Sequence, residues 1–120
     1  MSARSNSSTE SERRGARPHP PVARLWHGVT AASQGDAYGA YLEQTGVKDC
    51  RATPGNRGVQ VLRRVVGDEA HFLFISFWDS MEAIRAFAGA DVERARYYPE
   101  DRKYLLALEA TVSHYEVLEP

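Results

Sequence analysis

Hydrophobic residues are densest in the segment HFLFISFW, residues 71–78. Aromatic and β-branched residues favour an extended backbone, so this segment is predicted to be a β-strand. Both of its faces are apolar, because Leu73 and Phe77 alternate with Phe72 and Phe74. Helices cover one face of such a sheet, and the other face then needs a cover of its own.

A helix is predicted directly after this strand, over residues 80–88. Asp79 stands where an N-cap is expected, and Glu82 three residues later gives a box-like start. Gly89 is a natural helix stop. The hydrophobic period therefore changes from two to about 3.6 after Trp78.

The rest of the chain supplies three further strands and two further helices. In chain order they are a strand VARLWHGVT from Val22, a helix from about Ser33 to Gly46 or on toward Cys50, a loop at 53–58, a strand at 58–66 with a Gly67-Asp68 hairpin, a short helix from Pro99 to about Leu108, and a strand at 110–118. The order β-α-β-β-α-β predicts an α+β, ferredoxin-like split βαβ fold. Such a fold has a four-stranded antiparallel sheet with helices on one face.

Composition separates a polar leader from a single folded domain. Residues 1–21 are rich in Ser, Arg and Pro and are predicted to be disordered, whereas residues 22–120 form one domain. The net charge of −1 gives no field that would gather nucleic acid, and no apolar run reaches membrane-spanning length. The one cysteine, Cys50, cannot form an internal disulfide. These features favour a cytoplasmic protein without nucleic-acid or membrane partners.

The second apolar face of the 71–78 strand predicts a homodimer. One face carries Leu73, Ile75 and Phe77 and the other Phe72, Phe74 and Trp78, and a second copy of the same sheet is the most economical cover for whichever face the helices leave free. The faces of the first strand divide in the same way, with Leu25 and His27 on one side. Which of the two faces meets the helices stays open at this point.

Several segments of the chain resemble the antibiotic biosynthesis monooxygenase family. They are RLWHG, PGNRGVQVLRR, FISFWDSMEAIRAFAG, YYPEDR and the closing HYEVLE, and the resemblance runs from about Val22 to Glu119. The resemblance implies a dimeric α+β barrel with a pocket between sheet and helices. Its members include cofactor-independent oxygenases of polycyclic phenols, quinol oxygenases, haem-degrading enzymes and proteins without known activity.

Two histidines are the candidate general bases. His27 lies in the first predicted strand and His114 in the last, and these strands are neighbours in a ferredoxin-like sheet. The two side chains are therefore expected to share a face if their registers match. A neutral histidine in an apolar pocket is a suitable base for a phenolic or enolic proton. The alternative is that both are hydrogen-bonded structural residues.

The candidate substrate-binding residues are aromatic or cationic. The resemblance implies that Trp78 lines the cavity, and the alternative is a core tryptophan at a strand end. The other candidates, whose side chains suit the rim of a cavity and a phenolic or carboxylate oxygen, are Arg85, Tyr38, Tyr41 and Tyr98. No histidine spacing requires a metal site, so no metal is expected.

The sequence favours a cofactor-independent monooxygenase that acts on a small aromatic, polyphenolic or quinol ligand. A non-catalytic ligand-binding or dimerisation module on the same fold is the alternative, and the sequence leaves open whether the chain is an enzyme. Haem handling ranks behind both. The helix at 80–88 lacks the histidine that ligates iron in haem-degrading relatives, and Tyr97 and Tyr98 are weaker ligand candidates.

Overall fold

Four strands form one antiparallel sheet in the order β2-β3-β1-β4. They are seen in a computed structural model that describes residues 20–120. The strands are β1 (Val22–Ala31), β2 (Asn56–Val66), β3 (Glu69–Trp78) and β4 (Ser113–Glu116). This order and the helices between the strands confirm the α+β, ferredoxin-like fold. The disorder predicted for residues 1–21 falls almost wholly outside the described residues.

The helices pack against one face of this sheet. A 3₁₀ turn at Ala32–Gln34 leads into α1 (Gly35–Leu42), and a π-helical segment at Glu43–Val47 joins α1 to α2 (Lys48–Ala52). The first helix therefore continues past Gly46, as one of the two sequence readings expected. The remaining helices are α3 (Met81–Ala88) and α4 (Asp101–Tyr104). None of the helices in the described part of the chain is long and apolar enough to cross a membrane.

Several predicted element boundaries were wrong. Ser80, not Asp79, caps α3, because its Oγ accepts a hydrogen bond from the Ala83 amide at 3.2 Å. The short helix ends at Tyr104 instead of about Leu108. β4 is four residues long because residues 110–112 bond to the loop at 93–95 instead of to β1.

The register of β1 and β3 decides which residues lie under the helices. Arg24 is opposite Ser76 and Trp26 is opposite Phe74, so these four side chains share one face. On β3, every residue of this face from Ala70 to Trp78 is buried. We call it the helix face.

No helix among residues 20–120 packs on the opposite side of the sheet, and we call this side the open face. Leu25 on β1 and Leu73, Ile75 and Phe77 on β3 are only half-buried there. Leu62 on β2 is more exposed, with 48% of its surface accessible. The alternation predicted for both strands is thus present, and its second apolar face is open in the single chain.

Gly28 leaves room on the helix face for the indole of Trp26. A Cβ at position 28 would lie 2.1 Å from Cη2 and 2.5 Å from Cζ2 of that ring. Because the indole is rigid and its neighbours are packed, the ring cannot give way without a wider shift. The position of the Trp26 ring on the helix face therefore depends on the absence of a side chain at Gly28.

We expect Gly28→Ala to lower the free energy of unfolding by about 1–3 kcal/mol, the usual cost of overpacking. Gly39→Ala in α1 is the matched control, because a Cβ there meets nothing within 4 Å. That control should be neutral or stabilising by about 0.5–1 kcal/mol. Urea unfolding gives both values, and an unchanged midpoint for Gly28→Ala would contradict this packing.

Cys50 is fully buried on α2, and burial raises the pKa of its thiol to about 12. The unfolded chain ionises this thiol from about pH 9.0. Ionisation therefore favours the unfolded state as the pH rises from 9 toward 12. Buried tyrosines contribute in the same direction, but only from about pH 10.0, where unfolded tyrosine ionises.

We expect the free energy of unfolding to begin to fall between pH 9 and pH 10, and we expect this early loss to disappear in Cys50→Ala. The variant will be less stable at every pH because it leaves a small cavity, so the slope is the quantity to compare. An aromatic disulfide reagent at pH 8 should label the native thiol far more slowly than the unfolded one. Rapid labelling of the native protein would show that the thiol is accessible.

Candidate functional site

A cavity of about 50 Å³ lies between the helix face of the sheet and the segments packed on it. Six aromatic side chains line it: Trp26, Tyr38, Phe74, Phe87, Tyr97 and Tyr98. The polar and charged residues of its wall are Arg24, Ser76, Arg96 and Asp101. An aromatic wall with a few polar groups is the usual composition of a small-molecule site.

Arg24 contributes a buried cation to this wall, with 4% of its surface exposed. Its guanidinium donates to the carbonyl oxygens of Val92 and, at 3.0 Å, of Arg94. It also lies 3.2 Å from Nε2 of His114. Because guanidinium groups only donate, this Nε2 is the unprotonated nitrogen of a neutral imidazole. Burial lowers the pKa of both side chains, and the positive charge of Arg24 lowers that of His114 further.

Trp26 crosses the cavity wall toward the loop that follows α3. Its indole N–H donates to the hydroxyl oxygen of Tyr97 at 3.1 Å, and that hydroxyl donates to the carbonyl of Glu109 at 2.6 Å. The two rings meet edge to face with centroids 6.1 Å apart. Both polar groups are therefore satisfied inside the protein, and the rings present apolar surface to the cavity.

Tyr38 and Asp101 form a buried hydrogen-bonded pair. The Tyr38 hydroxyl donates to Oδ1 of Asp101 at 2.8 Å, and the amide of Tyr98 donates to Oδ2 at 2.6 Å. Burial, followed by the Asp101 carboxylate, raises the pKa of Tyr38 far above its usual value. Asp101 is 3% exposed and is the carboxylate of the cavity wall.

Arg96 is the most exposed residue of the wall. It stacks on Phe87 and Tyr98, with its guanidinium carbon 4.7 Å and 4.9 Å from the ring centroids. Its Nη2 lies 3.3 Å from Asp49 Oδ2, the oxygen that accepts the Tyr98 hydroxyl at 2.7 Å. Burial and this carboxylate raise the pKa of Tyr98. Arg96 thus separates the cavity from solvent.

Of the predicted substrate-binding residues, the structure places Tyr38 and Tyr98 at the cavity. Trp78 does not line it. Its indole N–H donates to Ser76 Oγ at 2.8 Å, and the fully buried ring packs behind the wall against Phe87. Tyr41 is also outside, in a layer of tyrosines with Tyr38 and Tyr104, and its oxygen accepts from the amide of Glu100.

His27 and His114 do not share a face, so that expectation was wrong. His114 pairs with Arg24 in register and lies on the helix face, whereas His27 has the opposite parity and lies on the open face. There Nδ1 of His27 is 2.6 Å from Oε2 of Glu109, and Nε2 is 3.2 Å from Nδ1 of His71. Neither histidine lines the cavity.

His114 and Arg85 instead line a separate outer groove of about 400 Å³ between α3 and β4. Arg85 forms an exposed i,i+3 ion pair with Glu82 in that helix. Arg24 touches His114, so the inner cavity and the outer groove lie on the two sides of this contact. Among residues 20–120, no group of three or more His, Cys, Asp or Glu side chains is arranged to hold a metal ion.

Sequence reasoning missed the charged half of the cavity, Arg24, Arg96 and Asp101, and it missed Trp26. One signal was available for β1, since Arg24 and Trp26 share a strand face with Gly28 in an otherwise apolar segment. No local signal was available for Arg96 or Asp101. Arg96 lies in the irregular chain between α3 and α4, and Asp101 is the first residue of the short α4, whose position is set by tertiary contacts.

Solved structures with the same fold come from several bacteria. The haem degrader MhuD of Mycobacterium tuberculosis, with two haems bound in its active site, is 25% identical over 82% of this chain and 97% of that one, with a TM-score of 0.53. The monooxygenase from the gene ActVA-Orf6 of Streptomyces coelicolor, in complex with nanaomycin D, is 14% identical over 85% and 90%, with a TM-score of 0.52. Rv0793 of M. tuberculosis is 19% identical over 83% and 97%, with a TM-score of 0.58. Among curated proteins, none matches the chain.

The sequence model of the antibiotic biosynthesis monooxygenase family matches residues 30–95, which is more than half of the chain. The match runs from the end of β1 through the loop that follows α3. The sheet order and the cavity between sheet and helices agree with it. The chain belongs to the antibiotic biosynthesis monooxygenase family.

Proposed function

We propose that this protein is a cofactor-independent monooxygenase that acts on a small phenolic or quinol-type aromatic molecule in the cavity on the helix face. The observation that carries the proposal is the wall itself, in which six aromatic rings surround a buried arginine and a buried carboxylate. Flat rings suit a planar aromatic substrate. The charged groups suit a reaction in which a proton leaves and negative charge develops on oxygen.

In the proposed reaction the substrate supplies the electrons. A base removes a phenolic or enolic proton, and the electron-rich anion reacts with dioxygen. One oxygen atom replaces two hydrogens at an activated CH₂ carbon as a new carbonyl, and the other leaves as water, so that CH₂ and O₂ become C=O and H₂O. The protein then has to exclude water, orient the ring and accept the proton.

Asp101 is the proposed proton acceptor, because it is the carboxylate of the cavity wall. Of the two histidine candidates, His114 lies beside Arg24 but does not line the cavity. His27 lies on the other side of the sheet. Either histidine would need a relay to act on a ligand in the cavity.

The cavity has to widen to admit such a ligand. Drug-sized molecules occupy sites of roughly 300–1,000 Å³, compared with about 50 Å³ in this structure. Arg96 is the side chain best suited to move, since it is the exposed part of the wall and its ion pair with Asp49 is also exposed. Gly46 of the π-helical segment forms another part of the wall, against Phe74.

We expect oxygen uptake when the protein is given a panel of anthrones, quinols and polyhydroxylated aromatics without added cofactor. Asp101→Asn should lower kcat about 10²–10⁴-fold, the usual contribution of a general base. Asp36→Asn is the matched control, because this exposed carboxylate on α1 only pairs with Arg63. Its rate should stay within about twofold of the wild type.

His27→Ala and His114→Ala, measured beside it, rank the three proton acceptors. Saturable binding of the aromatics without product would favour the binding-module alternative. Haem is the second candidate ligand, because a haem degrader is among the solved structures that share this fold. A Soret shift on haem titration, followed by oxygen-dependent bleaching with a reductant, would replace the phenol hypothesis with haem degradation.

We also propose that the open face pairs with a second copy of the chain to form the dimeric barrel that the family resemblance implies. Half-buried Leu73, Ile75 and Phe77 form its centre, and exposed Leu62 and Tyr115 extend it. A contiguous apolar surface of this kind on one chain is typical of an interface. Sheet-to-sheet pairing would also cover the His27 and His71 pair.

We expect light scattering at micromolar concentration to give twice the mass of one chain for the wild type. For Ile75→Arg we expect the mass of a single chain. The variant places a charge at the centre of the open face, where Ile75 is paired with Leu25 and Gln60 in the sheet. Ala86→Arg on the exposed side of α3 is the control and should stay dimeric. A wild-type monomer would contradict the proposed pairing.

A further inference from the structure

We infer that the cavity selects its aromatic ligand as an oxyanion, with the charged phenolate or enolate oxygen held against Arg24. This inference rests on the proposed function, since it concerns the same cavity. It goes further in naming the ionisation state of the ligand and the residue that sets it. An electrostatic preference for the anion also means that part of the driving force for deprotonation comes from a fixed cation.

Arg24 is a buried cation without a carboxylate partner among the described residues. Its hydrogen bonds go to two carbonyl oxygens and to a neutral imidazole, which supply dipoles but no negative charge. A charge taken out of water is costly unless a counter-charge or strong hydrogen bonds replace the lost solvation. Arg24 lines the cavity. A ligand anion bound in the cavity would therefore supply the counter-charge that this arginine lacks.

None of the described groups packed around Arg24 supplies the negative charge that a ligand anion would bring. Cys50 of α2 is a buried neutral thiol, and Phe87 of α3 presents its ring 5.9 Å from the guanidinium carbon. On β4, His114 is uncharged, and the charge of Glu93 acts on it rather than pairing with Arg24. None of these groups on the three neighbouring elements neutralises the arginine.

The second arginine of the wall is already compensated. Arg96 lies 3.3 Å from the Asp49 carboxylate and is exposed to solvent, which screens its charge. Asp101 at the cavity wall carries its own two hydrogen bonds from Tyr38 and Tyr98. Arg24 is therefore the positive charge of the cavity that a ligand oxygen would experience with least screening.

The consequence is a lowered pKa for a bound phenol. An opposite charge within about 4–6 Å lowers the pKa of an acid by about 1–3. By linkage, the protein then binds the phenolate about 10- to 1,000-fold more tightly than the neutral phenol. The proton that leaves the phenol goes to solvent in a binding experiment and to the base in turnover.

The test uses 4-nitrophenol, whose phenolate and phenol forms have different absorption bands, and the neutral isostere 4-nitroanisole. Binding to the full-length protein is followed by absorbance from pH 5 to pH 9. The samples are kept under nitrogen, so that no oxidation of the ligand interferes with the binding measurement. We expect the apparent pKa of the bound nitrophenol to fall by at least about 1. We expect nitroanisole to bind at least about tenfold more weakly than the phenolate.

Three variants separate Arg24 from the rest of the wall. Arg24→Gln keeps an amide that can donate to the carbonyls but removes the charge, and the pKa of the bound nitrophenol should return to its value in water. Arg24→Lys keeps a charge and should retain part of the lowering. Arg96→Gln removes the compensated arginine and should retain most of it. Circular dichroism confirms that each variant is folded.

The wild type alone can overturn the inference, whether or not Arg24→Gln folds. An unshifted pKa for the bound nitrophenol, equal binding of nitroanisole, or no saturable binding of the phenolate at millimolar concentration would each do so. If Arg96→Gln abolished the lowering of the nitrophenol pKa as fully as Arg24→Gln does, Arg96 would share the effect. That result would overturn its assignment to Arg24. Anion-selective binding without oxygen uptake on any substrate would leave this inference standing and remove the proposed oxygenase function.

Discussion

The pairing of β1 with β3 is the constraint on which the rest of the structure depends. In an antiparallel pair, residues directly opposite each other share a face, so one register assigns every side chain of both strands to a side. This register places Arg24 and Trp26 with Phe74 and Ser76 under the helices. A slip by one residue would move the arginine to the open face and bring His27 to the cavity wall.

The burial of Arg24 links that sheet to the irregular chain after α3. Its guanidinium bonds to the carbonyls of Val92 and Arg94, and the same loop then bonds to residues 110–112 just before β4. A cation in this position holds the loop and the sheet together only as long as its own solvation is nearly complete. The same side chain also lines the cavity. The structural and the proposed binding roles of Arg24 thus have the same physical origin.

The two tryptophans show why a resemblance alone does not place a binding residue. Both lie on the helix face of neighbouring strands and both donate their indole N–H inside the protein. Trp78 ends β3 under α3, where Phe87 and Ser76 cover it and remove it from the cavity. Trp26 lies near the middle of β1, where Gly28 leaves room for its ring, and it lines the cavity together with Tyr38 of α1. The alternation along each strand showed which residues share a side with each tryptophan, but it did not show whether the ring lines the cavity or packs behind its wall.

The sequence by itself determined the order of the elements, the alternation of both central strands and the presence of a second apolar face, because these follow from the local period of hydrophobic residues. It did not determine the cavity. Arg96 and Asp101 reach it from a segment with little regular structure, and their positions depend on stacking with Phe87 and on the hydrogen bond from Tyr38. Tyr38 and Asp101 are 63 residues apart, and the path of the loop that carries Arg96 back onto Phe87 follows no local pattern, so both contacts are decided only when the sheet and helices pack. The charges of this site are therefore a property of the tertiary structure, although each residue is visible in the sequence.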